Sequence, residues 1–178
     1  DTDVLWLRNP FTILSNNQTL DLQISTTWFS HNSSSETHHI NTGFYFIRSN
    51  ERTISLFETW YDMRKNATGM KEQDVLENLI KDGVLGKLGI GTKFLDTLYF
   101  SGFCEDSRDV ERVATVHANC CKSIRAKVTD LKKVLMAWKW FKREKNVGVS
   151  SLGNRITDFQ WPIHTSCINS GVMHGTKI

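Results

Sequence analysis

The sequence predicts a single α/β domain in which a mixed β-sheet is flanked by helices. Short apolar and aromatic runs alternate along its 178 residues with longer amphipathic segments, which is the pattern of strands alternating with helices. Hydrophobic residues make up 39% of the chain and aromatic residues 11%, which is enough apolar material for one core. No internal repeat is visible, which argues against a repeat architecture.

The strands are predicted from apolar, β-branched and aromatic runs that are bounded by turn-forming residues. Residues 4–7 form the first strand. Asn9 and Pro10 end it, because the residue before a proline avoids helical backbone angles. The remaining strand candidates lie in and after a polar stretch over 11–42, and they are residues 20–24, 27–29, 43–47, 94–100 and 113–117.

The helices are predicted from apolar side chains spaced at i, i+3 and i+4. The first follows Asn50 and directs apolar residues of 54–61 inward, and the second runs from about Lys71 toward Gly83. Four glycines over 83–92 predict a loop. The last helix has its apolar face over 128–138, with Lys and Arg on the other face.

The net charge of +3 hides an uneven distribution along the chain. Residues 1–121 carry 11 basic and 16 acidic side chains, whereas residues 122–145 carry nine basic and two acidic ones. Such a block suggests an anionic partner, although its spacing through an amphipathic helix favours a solvated helix face. Residues 146–178 show no sustained period and are predicted to be an irregular tail beyond a body of residues 1–145.

Asp1, Asp3 and His117 are candidate metal ligands. The two aspartates stand just before the strand at 4–7, and paired carboxylates at a sheet edge can hold a divalent cation that bridges a diphosphate. His117 ends the strand at 113–117 and could complete the site as a neutral imidazole. The alternatives are two solvated acids and a hydrogen-bonded structural histidine.

Gln73 and Asp74 open the second predicted helix. An acid in the first turn is ordinarily a favourable interaction with the helix dipole. The alternative is a carboxylate directed at a sugar hydroxyl or at a reacting anomeric centre. His31, His38 and His39 lie in a Ser- and Asn-rich loop and are predicted to be exposed to solvent.

The four cysteines contain no C-x-x-C pair, which argues against a structural zinc site. In an oxidising compartment Cys104 could form a disulfide with either Cys120 or Cys121. Three N-x-S/T sequons give mild support to a secretory route, and their asparagines are Asn17, Asn32 and Asn66.

Five motif-bearing segments follow one another in a fixed order, and they span residues 1 to about 142. They lie at 1–11, 41–46, 72–76, 94–104 and 117–131. Together they resemble the plant nucleotide-diphospho-sugar transferase domain family (glycosyltransferase family 77). The resemblance implies a GT-A fold and a metal-dependent enzyme that moves a sugar from a nucleotide diphosphate to an acceptor, with retention at the anomeric carbon.

The resemblance also implies roles for individual residues. Asp1 and Asp3 would be the D-x-D pair and His117 the ligand that closes a Mn²⁺ or Mg²⁺ site. The other roles concern the substrates: Asn41, Thr42 and Gly43 beside the donor sugar, Gln73 and the catalytic candidate Asp74 near the transferred sugar and the acceptor, and Lys127 at the diphosphate.

The expected partners are a UDP-linked nucleotide sugar and a glycan or hydroxylated glycoprotein acceptor, with no nucleic acid. The resemblance implies a type II membrane protein of the Golgi lumen, whose anchor would precede Asp1. It also implies that the strands that bind the nucleotide precede Asp1, so this chain is expected to be the C-terminal part of a larger domain. The alternatives are a catalytically incompetent fragment and a basic nucleic-acid-binding module at residues 122–145.

Overall fold

The computed structural model of the protein describes residues 1–147 and 159–171. Its strands are β1 (Val4–Trp6), β2 (Leu22–Thr26), β3 (Ile40–Ile47), β4 (Thr92–Leu95), β5 (Phe100–Gly102) and β6 (Thr115–His117). Its helices are α1 (Glu51–Met63), α2 (Glu72–Lys81), α3 (Val84–Leu88), α4 (Ile124–Val147) and α5 (Thr165–Asn169). Among these described helices, none combines the length and the apolar character that crossing a bilayer requires.

The strands form two three-stranded mixed sheets, whereas the sequence predicts one mixed sheet. In the first sheet, β2 lies between β3, to which it is antiparallel, and β4, to which it is parallel. In the second sheet, β6 lies between an antiparallel β1 and a parallel β5. The predicted α/β class is confirmed, and helices pack against both sheets.

A turn at Asp96 divides the strand that the sequence predicts over 94–100. The Asp96 carboxylate accepts a hydrogen bond from the Leu98 N–H, and its carbonyl accepts from the Tyr99 and Phe100 N–H groups. The chain therefore leaves the first sheet at β4 and enters the second sheet at β5. The prediction of a strand over 27–29 is wrong, because these residues begin a loop.

The predicted loop over 83–92 contains the short helix α3. Gly83 and Gly89 flank this helix with left-handed backbone angles, φ 78° and φ 65°, which glycine adopts without steric cost. The helix buries Val84 and Leu85 against the first sheet. The predicted loop is therefore partly a short helix, and two of its four glycines lie at the ends of that helix.

Three clusters of buried side chains hold the layers together. The first lies between the first sheet and α1–α3, and the second lies between the second sheet and α4. The third cluster lies between the two sheets and fixes their separation, and it consists of Leu14, Phe44, Leu95 and Phe100. The site described below lies where β3 of the first sheet meets β6 of the second.

Residues 159–171 fall within the predicted irregular tail, yet they contain α5 and pack on the body. The Cys167 side chain is fully buried and forms a disulfide with Cys121. The Cys167 N–H donates to the Asp130 carboxylate of α4, and the Trp161 indole N–H donates to the Ser107 carbonyl. The rest of the predicted tail, 148–158 and 172–178, lies outside the described residues.

Gly91 lies very close to the turn before β2, so a methyl group added at Gly91 should destabilise the protein. A Cβ at Gly91 would overlap the Thr19 carbonyl oxygen. We therefore expect Gly91→Ala to lower the free energy of unfolding by about 2 kcal/mol, as overpacking does. Gly86→Ala is the matched control, because a Cβ there has no neighbour within 4 Å and should raise stability slightly. Equal urea midpoints for the two variants would contradict this account.

Candidate metal centre

The three predicted metal ligands come together at one point between the sheets. The Nε2 atom of His117 lies 3.4 Å from a carboxylate oxygen of Asp1 and 3.3 Å from one of Asp3. The register of β1 and β6 explains this, because Val4 lies opposite His117 and the residues before β1 reach the end of β6. The Ala118 N–H continues the ladder by donating to the Asp3 carbonyl over 3.0 Å.

The side-chain oxygen of Asn41 determines which ring nitrogen of His117 carries the proton. The Gly43 N–H donates to this oxygen over 2.8 Å, so the oxygen faces Gly43 and acts as an acceptor. The Nδ1 atom of His117 lies 2.9 Å from the same oxygen and must therefore be the protonated nitrogen. The Nε2 atom then presents a lone pair to the carboxylates of Asp1 and Asp3.

Gly43 lets β3 approach the imidazole closely. A Cβ at this position would overlap the His117 ring. The Gly43 carbonyl also accepts a hydrogen bond from the Asp1 amino group over 3.0 Å. The predicted donor-pocket residues Asn41 and Gly43 are thus both in contact with the candidate metal ligands.

The electrostatic environment keeps the imidazole neutral. Burial lowers the pKa of His117 to about 4; the Asp3 carboxylate opposes this shift and the Lys127 ammonium adds to it. For Asp3, burial would raise the pKa, but interactions with Lys127, whose ammonium lies at 2.6 Å, and with His117 together hold the pKa below its usual value. At neutral pH the cluster therefore contains an unprotonated Nε2 and an ionised Asp3.

This arrangement fits a divalent cation. One ligand atom from each of Asp1, Asp3 and His117 lies within 4.8 Å of the others. None of these three atoms carries a proton in the neutral imidazole form, so their mutual repulsion is relieved by a cation between them. Two carboxylate oxygens and one imidazole nitrogen are ligands that Mn²⁺ accepts readily, with Mg²⁺ the harder alternative.

Comparison with known proteins identifies the family. The sequence model of the nucleotide-diphospho-sugar transferases matches residues 1–131. This chain belongs to that family. The match confirms the resemblance at the family level and covers Asp1, Asp3, His117 and Lys127.

The chain is similar to two proteins of Arabidopsis thaliana. It is 48% identical to uncharacterized protein At1g28695 over 170 residues, which cover 96% of this chain and 46% of the relative. It is 40% identical to uncharacterized protein At4g15970 over 129 residues, 72% of this chain and 35% of the relative. The chain thus spans less than half the length of both relatives. No solved structure matches it.

Hydrogen bonds connect the start of α2 to β3 beside the candidate metal centre. The Thr42 N–H donates to the Gln73 side-chain oxygen over 3.2 Å, and the Thr42 hydroxyl donates to the Glu72 carboxylate over 3.1 Å. The predicted residues Thr42 and Gln73 are therefore in contact. Glu72 was missed as a site residue, because a Glu in a first helical turn has an ordinary capping explanation.

Asp74, the predicted catalytic residue, is not brought into the metal cluster. Its side chain is exposed, and its carboxylate accepts a hydrogen bond from the Lys71 N–H over 3.0 Å at the start of α2. This is the capping interaction that an acid in a first turn usually makes. A catalytic role for Asp74 stays a prediction.

Two disulfides bracket the chain segment that follows His117. Cys104 pairs with Cys120, which decides between the two partners that the sequence left open. Cys121 pairs with Cys167, a partner that the sequence did not indicate because 46 residues separate the two. The segment that carries the candidate ligand is thereby attached both to the end of β5 and to α5.

The histidine-rich loop differs from the prediction at one position. His38 is buried, with its ring stacked on Phe29 at a centroid distance of 5.1 Å and its Nε2 atom 2.7 Å from the Asn32 carbonyl oxygen. His31 and His39 are exposed. The sequon asparagines Asn17, Asn32 and Asn66 are all exposed.

The hydrogen bond from His117 to Asn41 predicts that Asn41 controls metal affinity. We expect Asn41→Ala to weaken Mn²⁺ binding by about 10- to 100-fold, because the imidazole loses the acceptor that orients it. Asn41→Asp keeps an oxygen at this position and should bind Mn²⁺ at least as tightly as the wild type. Paramagnetic resonance of free Mn²⁺ during titration measures both affinities, and an Asn41→Ala affinity equal to the wild-type value would refute this role.

Proposed function

We propose that this chain is the C-terminal part of a metal-dependent glycosyltransferase of glycosyltransferase family 77. It would transfer a sugar from a UDP-linked donor to a glycan or hydroxylated glycoprotein acceptor, with retention of the anomeric configuration. The observation that carries this proposal is the convergence of Asp1, Asp3 and the unprotonated Nε2 of His117 in a chain of this family. Asp1, Asp3 and His117 would hold Mn²⁺ or Mg²⁺.

A bound cation would act as a Lewis acid toward the diphosphate leaving group. The residues of this chain supply the remaining interactions. Lys127 pairs with Asp3, and its ammonium would also bind a phosphate oxygen and share the charge that develops on it. The hydrogen bonds of Thr42 to α2 fix the wall that the donor sugar would contact.

Strand β3 forms one edge of the first sheet, and further strands could extend the sheet there. Among the described strands, β3 pairs only with β2, and the Gly43 carbonyl accepts the Asp1 amino group rather than a strand neighbour. Beside this edge, Tyr45 and the α1 residue Tyr61 expose aromatic surface. We propose that the strands that bind the base and ribose precede Asp1 in the full-length protein and pair with this edge.

The disulfides and sequons support placement in the Golgi lumen as a type II membrane protein. Disulfides persist in oxidising compartments, and all four cysteines of this chain are paired. All three sequon asparagines are exposed and therefore accessible for glycosylation. Imaging of the tagged full-length protein against a Golgi marker tests this placement, and a cytosolic signal would refute it.

Calorimetric titration of the full-length protein with UDP tests the proposed function. We expect UDP to bind in the presence of Mn²⁺ and not in its absence. Asp3→Asn and His117→Ala each remove a proposed metal ligand and should weaken Mn²⁺-dependent binding by at least about 100-fold. Asp62→Asn, which changes an exposed acid on α1, is the control and should bind normally.

Unchanged UDP binding in both ligand variants would refute the proposed metal site. The same titration of residues 1–178 alone tests the proposed strand edge. We expect this shorter chain to bind Mn²⁺ but to bind UDP weakly, because the surface for the base and ribose would be absent. UDP binding as tight as that of the full-length protein would show that no preceding strand is needed.

Lys127→Met tests the two proposed contacts of this lysine, with Asp3 and with phosphate. Loss of these contacts should change the Mn²⁺ affinity and the UDP affinity in opposite directions. Removing the ammonium frees an Asp3 oxygen, so Mn²⁺ alone should bind about fivefold more tightly, as expected for a partly exposed ion pair. UDP with Mn²⁺ should bind about tenfold more weakly, because a charged hydrogen bond to phosphate is lost. Lys132→Met, at an exposed position of α4, is the control. A fall in both affinities would contradict the exchange of Lys127 from Asp3 to phosphate.

A further inference from the structure

A cleft that is separate from the candidate metal centre lies at the carboxyl end of β4. It is a cleft of about 520 Å³, within the size range of small-molecule sites. Its walls combine aromatic rings with polar groups, and the residues used below are Phe29, Lys93, Asp96, Tyr99 and Phe100. The metal centre uses none of these side chains.

The cleft and the candidate metal centre lie at the same end of the strands of the first sheet, on opposite sides of β2. Leu95, which lines the cleft, is aligned with Ser25 of β2, and Ser25 is aligned on its other side with Asn41 of β3. Two strand spacings, about 10 Å, therefore separate the end of β4 from the residue that orients His117. Through the core, the Phe100 ring lies 4.8 Å from Phe44.

The loop that forms one wall of the cleft is held in place by three kinds of contact. The His38 ring lies between Phe29 and Phe94, with centroid distances of 5.1 and 5.3 Å. The Ser33 carbonyl accepts a hydrogen bond from the Phe94 N–H over 2.8 Å. The Phe29 N–H donates to the Glu105 carboxylate over 3.1 Å. The Phe29 wall is therefore fixed before any ligand binds.

The lining chemistry favours an uncharged ligand with many hydroxyl groups. Lys93 and Asp96 are half-buried and have opposite charges, so neither sign dominates at the cleft. A phosphate would be repelled by Asp96, whereas sugar hydroxyls can donate to the carboxylate and accept from the ammonium. The ring faces of Phe29 and Tyr99 can pack against the C–H face of a sugar.

We propose that this cleft binds a neutral sugar unit of the glycan acceptor. The inference rests on the proposed transferase function, because that function requires a second substrate within reach of the metal-bound donor. The distance of about 10 Å, measured across β2, brings the cleft and the candidate metal centre within the length of one oligosaccharide. Phe29 and Tyr99 stack on the acceptor, and Lys93 and Asp96 bind its hydroxyls.

The test uses the full-length protein with Mn²⁺ and UDP on an array of neutral oligosaccharides built from hexoses and pentoses. A second set of oligosaccharides containing uronic acids provides the charged comparison. We expect binding to neutral members of the array, weakened about tenfold by Tyr99→Ala, which corresponds to about 1.4 kcal/mol. Trp140→Ala, at an exposed aromatic residue of α4, is the control and should bind normally.

Two further variants keep the test decisive if Tyr99→Ala does not fold. Lys93→Ala and Asp96→Asn change the charged groups of the cleft, and the asparagine retains the oxygen that accepts from the Leu98 N–H. Each should weaken oligosaccharide binding while leaving Mn²⁺-dependent UDP binding unchanged. Because UDP is measured separately, a failure of the proposed function would appear as lost UDP binding in the wild type.

Three results would overturn the cleft assignment. They are no binding to any oligosaccharide by protein that binds UDP, binding to uronic-acid-containing oligosaccharides alone, and neutral binding that all three cleft variants retain. The first would remove the cleft as an acceptor site. The second would reverse the inferred charge of the ligand, and the third would place the acceptor elsewhere on the protein.

Discussion

The side-chain oxygen of Asn41 accepts two hydrogen bonds, and the geometry of the metal centre depends on them. One comes from the Gly43 N–H of its own strand, and the other comes from the His117 ring of the second sheet. The first fixes the direction of the amide, and the second then fixes the proton on Nδ1. Because Gly43 has no Cβ, the ring can lie directly against β3. A single polar contact therefore joins two sheets and prepares a nitrogen ligand.

The remaining structure keeps this contact in place. The apolar cluster between the sheets sets their spacing, with Phe44 immediately after Gly43. On the other side, Cys120 and Cys121 follow His117 closely and form disulfides to different parts of the chain. Since α4 both carries Lys127 to Asp3 and receives the Cys167 N–H at Asp130, the C-terminal segment and the metal centre share one support.

The sequence predicted what depends on neighbours along the chain. The helices α1 and α2 follow from the spacing of their apolar residues, and Asp1, Asp3 and His117 follow from motifs in a fixed order. The contact of His117 with Asn41 spans 76 residues, so no local pattern encodes it. The Cys121–Cys167 disulfide was not predicted for the same reason, since 46 residues separate the two cysteines. His38 was misjudged because a polar neighbourhood in sequence does not exclude burial between two distant aromatic rings.

The ion pairs of α4 account for part of the uneven charge along the chain. Of the nine basic side chains in residues 122–145, three pair with carboxylates: Lys127 with Asp3, Lys133 with Asp130 and Lys145 with Glu111. These pairs favour a helix face that serves the protein itself over a surface for nucleic acid.

In the proposed full-length protein, where a peptide bond would replace the charged Asp1 amino group, two carboxylates, one ammonium and a neutral imidazole would leave one excess negative charge, which repels a diphosphate. A divalent cation held there reverses that sign, and it also competes with Lys127 for Asp3. The lysine released from Asp3 then adds a second positive group to the surface that a diphosphate would meet. Under the proposed function, cation binding and nucleotide binding would thereby be coupled through the same aspartate.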